Sequence, residues 1–502
     1  MVIVGYGPVG QLAALLLGRL GHRVEVFERR TEAFPLPRAV HVDDEVLRVL
    51  QGAGLADEVA AIMDAPITYE WRDARGQTLL SFDLTGLGLH GFPASNMFSQ
   101  PELEAVLDRA VRRLPSVRVR RGTEVTALRD AGDHVAVSVG PPGSADTTRA
   151  RYVLGCDGAN SLVRAHLDAT VTDLGFTHDW LVVDVLPHHP RVWDPPALQV
   201  CDPARPTTVV PAGPGRRRFE FMRRPGESRE ELERTDTVWA LLAPWGVTPD
   251  NAVLQRYAVY TFRALWADRW RQGRVLIAGD AAHQMPPFAG QGLAAGVRDV
   301  ANLAWKLDLV LTGRANARIL DSYPSERLAH LRIAMTVSVE LGRVICVLDP
   351  DAAATRDAGM LAARAGGAQS VQPPPQPGLG EGLTLAGDPL AGQPFPQGLV
   401  GPDRRRFDDV VASGPLLVAH GNRVAHGDLV ATGDLVVAVP AGVTEVNVAR
   451  LGDPDGFYAR WFGEHGRGVV LVRPDRYVFG SAPNVAGGAE LVRRWNTALG
   501  VD

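Results

Sequence analysis

Gly5, Gly7 and Gly10 fall within VIVGYGPVG at residues 2–10, and Glu28 follows 18 residues after Gly10. Those types at that spacing suit a dinucleotide. Gly5 permits a tight turn, Gly7 lets the backbone approach a pyrophosphate, and Gly10 lets a helix pack closely on a strand. Pro8 and Val9 complete the turn, and the free N–H groups of the following helix face the phosphates. Glu28 can accept from ribose hydroxyls and would repel a 2′-phosphate, so the expected group is an unphosphorylated adenosine ribose. A second set lies far along the chain. Gly279 and Asp280 end a buried run, and Pro286, Pro287, Gly290 and Gly292 make a stiff loop with few side chains. Leu293 and Ala294 open a long helix behind it. Asp157 and Gly158 end another apolar run, with Arg164 one turn beyond Ser161 as a charge partner for a phosphate. His41, His178, Tyr257, Tyr260 and Arg263 could move a proton or hold a charge. They are candidates by location only, and a lone His or Tyr on a sheet is more often a core residue.

The elements that must position these residues can be read from periodicity. Residues 2–4 and 23–27 are short β-branched runs around a helix at 11–20, a βαβ unit. Residues 101–114 read as an amphipathic helix, 116–121 and 134–139 as strands, and 151–155 as another short strand. From about 173 to 262 the runs WLVVDVL, TTVVPA, RRFEFM and YAVYTF suggest antiparallel strands. RVLIAGD (274–280) is a buried strand, followed by the loop and a helix over 293–313. Residues 365–398 are rich in Pro and Gly, and the last hundred or so residues alternate like a small α/β unit. The expected architecture is α/β: a Rossmann-like nucleotide-binding domain from 1–65, 95–172 and 263–349. An antiparallel-sheet substrate domain comes from 66–94 and 173–262, then a linker at 350–398 and a C-terminal domain at 399–502.

Composition narrows the class. The chain has 502 residues, 46% hydrophobic and 22% charged, with a net charge of −5. Such a balance fits a globular protein with a large core and gives no reason to expect nucleic acid or an anionic membrane as partner. Cys156, Cys201 and Cys346 make no CxxC pair and no metal spacing, so no metal is expected and a reduced, cytoplasmic setting is. The apolar start is too short for a signal peptide, and no run of about 18 apolar residues predicts a membrane span.

Two long strings, LIAGDAAHQMPPFAGQGLAAGVRDVANLAWKL (276–307) and VLGCDGANSLVRAHL (153–167), resemble the class A flavoprotein monooxygenases when taken with the opening turn. That group includes p-hydroxybenzoate hydroxylase. PLPRAVHVDDEVLRVLQ, ASNMFSQPELEAVL, HDWLVVDVL, CDPARPTTVV, GPGRRRFEFM and VYTFRALWADRWRQGRVLIAGDAAH look like its 3-(3-hydroxyphenyl)propionate hydroxylase branch. The resemblance implies a resident FAD. Asp280 would hold the ribityl chain and the helix from Leu293 would face the flavin N1/C2=O edge. The family's usual Met-Asn pair is Leu293-Ala294 here, so only the backbone contact carries over. Arg29 and Arg38 match arginines near the adenosine and pyrophosphate, Gln100 a glutamine that contacts the flavin, and Val125 a position whose backbone reads the adenine. Asp157, Gly158 and Arg164 match a motif tied to FAD and to the nicotinamide donor. His283 matches the family and serves structure.

The implied reaction is hydroxylation of a phenolic small molecule through a flavin C4a-hydroperoxide, with O2 and transient NADH or NADPH. Alternatives are a tailoring oxygenase of a polycyclic phenolic natural product, Baeyer–Villiger insertion included, or a flavin- or ligand-binding protein without turnover. The pocket is expected between the 274–313 loop and helix and the antiparallel sheet. The basic run at 215–218 either attracts a carboxylate or is a solvated turn. The tail resembles a thioredoxin-like appendage. Having no cysteine after Cys346, it is expected to serve structure or oligomer contacts, with a homodimer left open.

Overall fold

A computed structural model describes residues 1–32, 39–64, 67–140, 146–367, 377–420, 436–439 (backbone) and 442–500. Arg38 lies outside the described residues.

Val2–Val4 is fully buried and pairs in parallel with Val24–Glu28 and with Val153–Gly155. The sheet runs in the order 271–272, 275–277, 153–155, 2–4, 24–28, 117–121. A strand with neighbours on both edges and helices on both faces must be apolar throughout, which is why VIV shows no alternation. The helix Pro8–Arg19 starts with Pro at its first turn, where no N–H is needed. It buries Leu12, Ala13, Leu15 and Leu17 and packs against the helices Gln100–Arg112 and Gly292–Leu311. The expected strand at 134–139 joins a separate three-stranded sheet with 125–130 and 147–150. The expected strand at 274–280 is shorter, ending at Ile277 before a turn over Gly279–Ala281.

The second large sheet has eight strands in the order 283–284, 252–267, 171–187, 217–222, 207–211, 197–200, 68–72, 78–83. All neighbours are antiparallel except 197–200 beside 68–72. Its strands alternate with period two. Leu181, Val183, Val185, Val209, Phe219 and Phe221 form one face, which packs under Leu232, Val238 and Leu242 of the two short helices at 229–242. Val182, Thr208, Arg218, Glu220 and Gln199 belong to the other face, which lines a cavity. A slip of one residue would exchange the two sets, so the register is strongly specified. The strands Val171–Pro187 and Ala252–Ala267 run 17 and 16 residues, through the expected boundaries near 172 and 262, and carry the sheet back to the nucleotide-binding side.

The expected linker at 350–398 begins as a helix, Pro350–Ala365, capped by the Asp349 carboxylate on the Ala352 N–H at 2.8 Å. Residues 377–398 wrap the surface through backbone bonds, such as Leu385 N–H to the Phe479 carbonyl at 2.6 Å. A mixed five-stranded sheet follows, in the order 436–439, 443–447, 416–419, 469–472, 478–482. Buried ion pairs join this unit to the rest. Arg48 donates to Asp408 at 2.7 and 3.0 Å. Arg473 and Lys306 both donate to Glu326, at 2.8 and 2.7 Å. The rings of Trp305 and Trp495 stack 5.8 Å apart. Among the described residues no helix is long and apolar enough to cross a membrane, and no His/Cys/Asp/Glu cluster could hold a metal.

Candidate active site

One cavity of about 1570 Å³ runs from the opening turn to the eight-stranded sheet. That is more than the roughly 300–1,000 Å³ of a pocket for one drug-sized ligand, and leaves room for a large cofactor and a second molecule.

At one end stands the glycine turn, whose three glycines differ. A Cβ on Gly5 would lie 2.4 Å from the Cys156 carbonyl oxygen, and its φ of +95° is a left-handed conformation. A Cβ on Gly10 would lie 2.2 Å from the Gly5 carbonyl oxygen. Both are required by the fold. Gly7 has nothing within 4 Å of its Cβ position and lines the cavity with Pro8 and Val9. Open space at a glycine beside a helix start leaves room for a ligand's phosphates. The first intrahelical bond there is Gln11 N–H to the Gly7 carbonyl at 2.8 Å, which leaves the N–H groups of Val9 and Gly10 without helical partners. Glu28 accepts from the Tyr6 and Arg30 N–H groups at 2.8 and 2.9 Å, so it braces this turn. Arg29 is exposed and Val125 is buried away from the cavity.

At the middle, Asp280, Pro287, Gly290, Gly292 and Leu293 line the cavity with Gln100 and Gly158. The helix Gly292–Leu311 begins without a side-chain cap, so its first N–H groups open toward the cavity. Its start is fixed from three sides. A Cβ on Gly296 would lie 2.7 Å from Val9, so helix and turn touch. Arg298 donates to Asp43, Glu45 and Gln291. Ser338, on the helix Ser322–Ile345, donates to the Pro286 carbonyl at 2.6 Å. Gln100 accepts from the Ala39 N–H at 2.9 Å and donates to Glu104 at 2.7 Å. Ala294 is fully buried.

The Asp157 motif is tied into the loops beside the cavity. Asp157 accepts from Ser161 Oγ at 2.6 Å and from the Val163 N–H at 3.1 Å, and so caps a short helix. Arg164 was expected as a charge partner for a phosphate. Its guanidinium donates to the Ala281 and Ala159 carbonyls at 3.0 and 2.6 Å, tying two cavity loops together. His283 pairs with buried Asp299 at 2.7 Å, a structural contact.

The five proton-transfer candidates separate. His41 lines the cavity, but its Nδ1 contacts the Gly290 carbonyl at 3.2 Å and its Nε2 contacts Ser95 Oγ at 3.0 Å. Burial lowers its pKa, so it is a neutral tie under the loop. Tyr260 and Arg263 line the cavity. Tyr257 meets Thr235 Oγ1 at 2.8 Å on the helix-covered face, and His178 packs against Phe176 at 4.8 Å, outside the lining.

The sheet wall carries polar groups that the candidates omitted. Arg218 is buried and makes a two-pronged contact with Asp184 at 2.7 and 3.0 Å, and Arg256 donates to the same carboxylate at 2.8 Å. The basic run at 215–218 therefore contributes one neutralised guanidinium to the cavity. Arg217 stacks over Trp193 on the opposite face, with its guanidinium carbon 4.5 Å from the ring centroid. One register step from Arg218 lies buried Glu220, opposite Val182 and Thr208. Thr208 donates to Gln199 at 2.6 Å, and the Gln199 amide donates to two strand carbonyls at 3.1 Å. The signal was present in RRFEFM. Two charges with period two in an apolar strand between apolar neighbours must share an inner face. The tail also borders this cavity through Gln393, Pro394, Trp461 and His465, a role beyond the expected structural or oligomer contact.

Comparison with known proteins gives the class of the site. The model of the family described as FAD binding domain matches residues 1–338, and that of the HcaD C-terminal domain matches residues 392–494. A probable NADH-specific resorcinol 4-hydroxylase of Rhodococcus jostii is 41% identical over 99% of this chain and 95% of its own length. A 3-(3-hydroxy-phenyl)propionate/3-hydroxycinnamic acid hydroxylase of Klebsiella pneumoniae is 32% identical over 98% and 93%. The solved ternary complex of aklavinone-11 hydroxylase with FAD and aklavinone superposes with a TM-score of 0.79 at 26% identity, over 99% and 98% of the two chains. By that family match and those relatives, this chain belongs to the FAD-binding-domain family and is a flavin-dependent aromatic hydroxylase.

Proposed function

We propose that the chain hydroxylates a small dihydroxybenzene of the resorcinol kind, using FAD, NADH and O2. The observation that carries this is one continuous cavity with three parts in sequence. A phosphate cradle stands at Gly7, an uncapped helix start at Gly292–Leu293, and a polar stripe on an otherwise apolar wall at Glu220, Thr208 and Gln199.

FAD fits the residues present. The pyrophosphate would lie at Gly7–Val9, the ribityl chain at Asp280 beside Gln100, and the ring against Pro287, Gly290 and Gly292. The bound flavin, reduced by the nicotinamide, supplies the oxygen atom taken from O2. The chain's own residues do the rest. The N–H groups at Gly292 and Leu293 favour negative charge at the ring edge. Trp71, Phe82, Phe262 and Phe288 make the cavity's walls apolar and exclude water. The polar stripe orients the substrate's hydroxyls. Tyr260 and Arg263 remain candidate substrate contacts.

The 41% identity to the Rhodococcus relative over nearly the whole of both chains supports the choice of a neutral diphenol and of NADH. The discontinuous domain scheme is the arrangement we propose, with 399–502 as a thioredoxin-like unit in the cytoplasm. Its parallel pair 416–419/443–447 beside the antiparallel hairpin 469–482 supports that likeness.

The test is substrate-stimulated NADH oxidation across a phenol panel with product masses. Yellow protein that releases FAD on heating, and a product one oxygen heavier from resorcinol, are expected. Release of FMN, or equal NADH loss with and without any phenol, refutes the proposal.

A further inference from the structure

Glu220 is the cavity's least committed buried carboxylate on the sheet wall. It is 8% exposed. Its neighbour Arg218 stands 3.7 Å away at one guanidinium nitrogen, while the Nε and second terminal nitrogen of Arg218 hold Asp184. Asp184 is held again by Arg256. Counted with Glu220, this group of two guanidiniums and two carboxylates is balanced, so within it no net charge is left to draw in an anionic ring substituent. Thr208, directly across the strand pair from Glu220, donates its proton to Gln199, which leaves its oxygen able to accept. The strands that carry these two acceptors lie roughly 5 Å apart. That spacing serves two hydroxyl donors meta to each other on one ring.

The register places these acceptors near the reacting end. Val182 and Trp180 pair with Glu220 and Met222 respectively. The Trp180 ring packs 5.7 Å from Phe288, within the Pro287–Ala289 turn of the glycine loop. Glu220 thus lies one side-chain step, about 7 Å along the strand, from residues that touch that loop.

Resting on the reading above, we propose that Glu220 is the catalytic residue that takes the phenolic proton and that Thr208 receives the second hydroxyl, selecting a neutral meta-diphenol over a phenolic acid. The hydroxyl O–H bond breaks, its proton passes to the Glu220 carboxylate, and the electron pair stays on the ring oxygen. There it enriches the ortho and para carbons, one of which bonds to the oxygen supplied by the established activity. As that oxygen's bond to its donor breaks, the donor fragment keeps the electron pair and takes up that carbon's own proton, the ring regains aromaticity, and Glu220 returns its proton to the phenolic oxygen. His41 does not serve, since both its ring nitrogens have partners. The charged and titratable groups around Glu220 are Arg218 on its own strand, Asp184, Arg256 and Tyr260 on the two long strands, and Tyr69 on 68–72. Burial raises the Glu220 carboxyl above its ordinary value, with Asp184 adding to the rise and Arg218 opposing it.

The experiment compares wild type, Glu220→Gln, Glu220→Asp and Thr208→Val as FAD-loaded full-length proteins. Flavin content and melting temperature are measured first. Glu220→Gln, close in shape, should keep both and lose about 100-fold or more in kcat with resorcinol. It should also lose the acid limb of the kcat/KM pH profile, with partial rescue in Glu220→Asp. Resorcinol affinity, read from flavin absorbance, should weaken about tenfold in Thr208→Val but stay level for 3-methylphenol. Full kcat and an unchanged acid limb in Glu220→Gln overturn the role of Glu220, and preference of the wild type for 3-(3-hydroxyphenyl)propionate overturns the selection. A wild type that ignores resorcinol yet turns over another phenol refutes the proposed substrate alone. The same Glu220→Gln comparison with that phenol then decides the base.

Discussion

At the scale of single residues, the three glycines of the opening turn make separable contributions. Gly7 has φ −73° and ψ −178°, a conformation open to any residue, and empty space at its Cβ. Gly7→Ala should therefore leave apoprotein stability within about 0.5 kcal/mol while lowering FAD occupancy, because the methyl would take the space proposed for the pyrophosphate. Gly10→Ala drives a Cβ to 2.2 Å from a backbone oxygen and should cost roughly 1–3 kcal/mol, seen in urea melts of apoprotein. The spacing of these glycines was legible in the sequence, because local backbone demands select glycine locally. Arg164 was not. An arginine's partners depend on which carbonyls two distant loops bring within its reach, and no periodicity encodes that. Glu220 was legible in principle through its alternation with Phe219 and Phe221, but only once the face of the strand that meets a cavity is known.

At the scale of elements, the helix Asp44–Gly52 shows two opposed effects. A helix N-terminus favours an acid by about 0.3–1 kcal/mol, and Asp43 caps this one by accepting from the Val46 N–H at 3.2 Å. Asp44, next in line, is 6% exposed and accepts from the His90 N–H at 2.8 Å. Burial first, and then the charge of Asp43, push its pKa up to about 7, so desolvation outweighs the dipole. The folded protein thus binds this proton more tightly than the unfolded chain. The associated stability is complete below about pH 4 and is lost as pH rises to about 7, on the order of 4 kcal/mol at most. Asp44→Asn should flatten the fall in melting temperature over that window while keeping the acceptor for His90. Glu45 acts in a separate window. Its contact with Arg298 outweighs its burial and brings it down to about 2, so its contribution fades only below about pH 4. The elements were mostly readable because core strands and amphipathic helices announce themselves. The Pro/Gly richness that marked the linker lies mostly beyond 365, and the first part of that span is a helix with Pro350 at its first turn, where proline is favoured.

At the scale of the whole molecule, the tail and the cofactor side form one charge network. Arg473 is fully buried between Glu326 and Asp475, and removing one member of such a set costs about 3–5 kcal/mol. Arg473→Met should lower stability by that amount in guanidinium unfolding, and a chain ended at residue 391 should fail to accumulate as folded holoprotein. Survival of that truncated chain with FAD bound would show the network to be dispensable. Composition could not reveal this dependence, since Arg473 and Glu326 are 147 residues apart and each segment alone has ordinary charge.

The phenol of Tyr477 donates to Glu45 at 2.7 Å, and Glu45 shares Arg298 with Asp43 and Gln291 behind the glycine loop at 286–292. A side chain of the C-terminal unit is thus three contacts, through Glu45 and Arg298, from the loop proposed to frame the flavin ring. Swapping tails between hydroxylases is therefore no exchange of interchangeable cassettes. A hybrid with a foreign last hundred residues inherits a different tension on that loop. Its colour should bleach on warming before its fold is lost, unless the residue facing Glu45 travels with the graft.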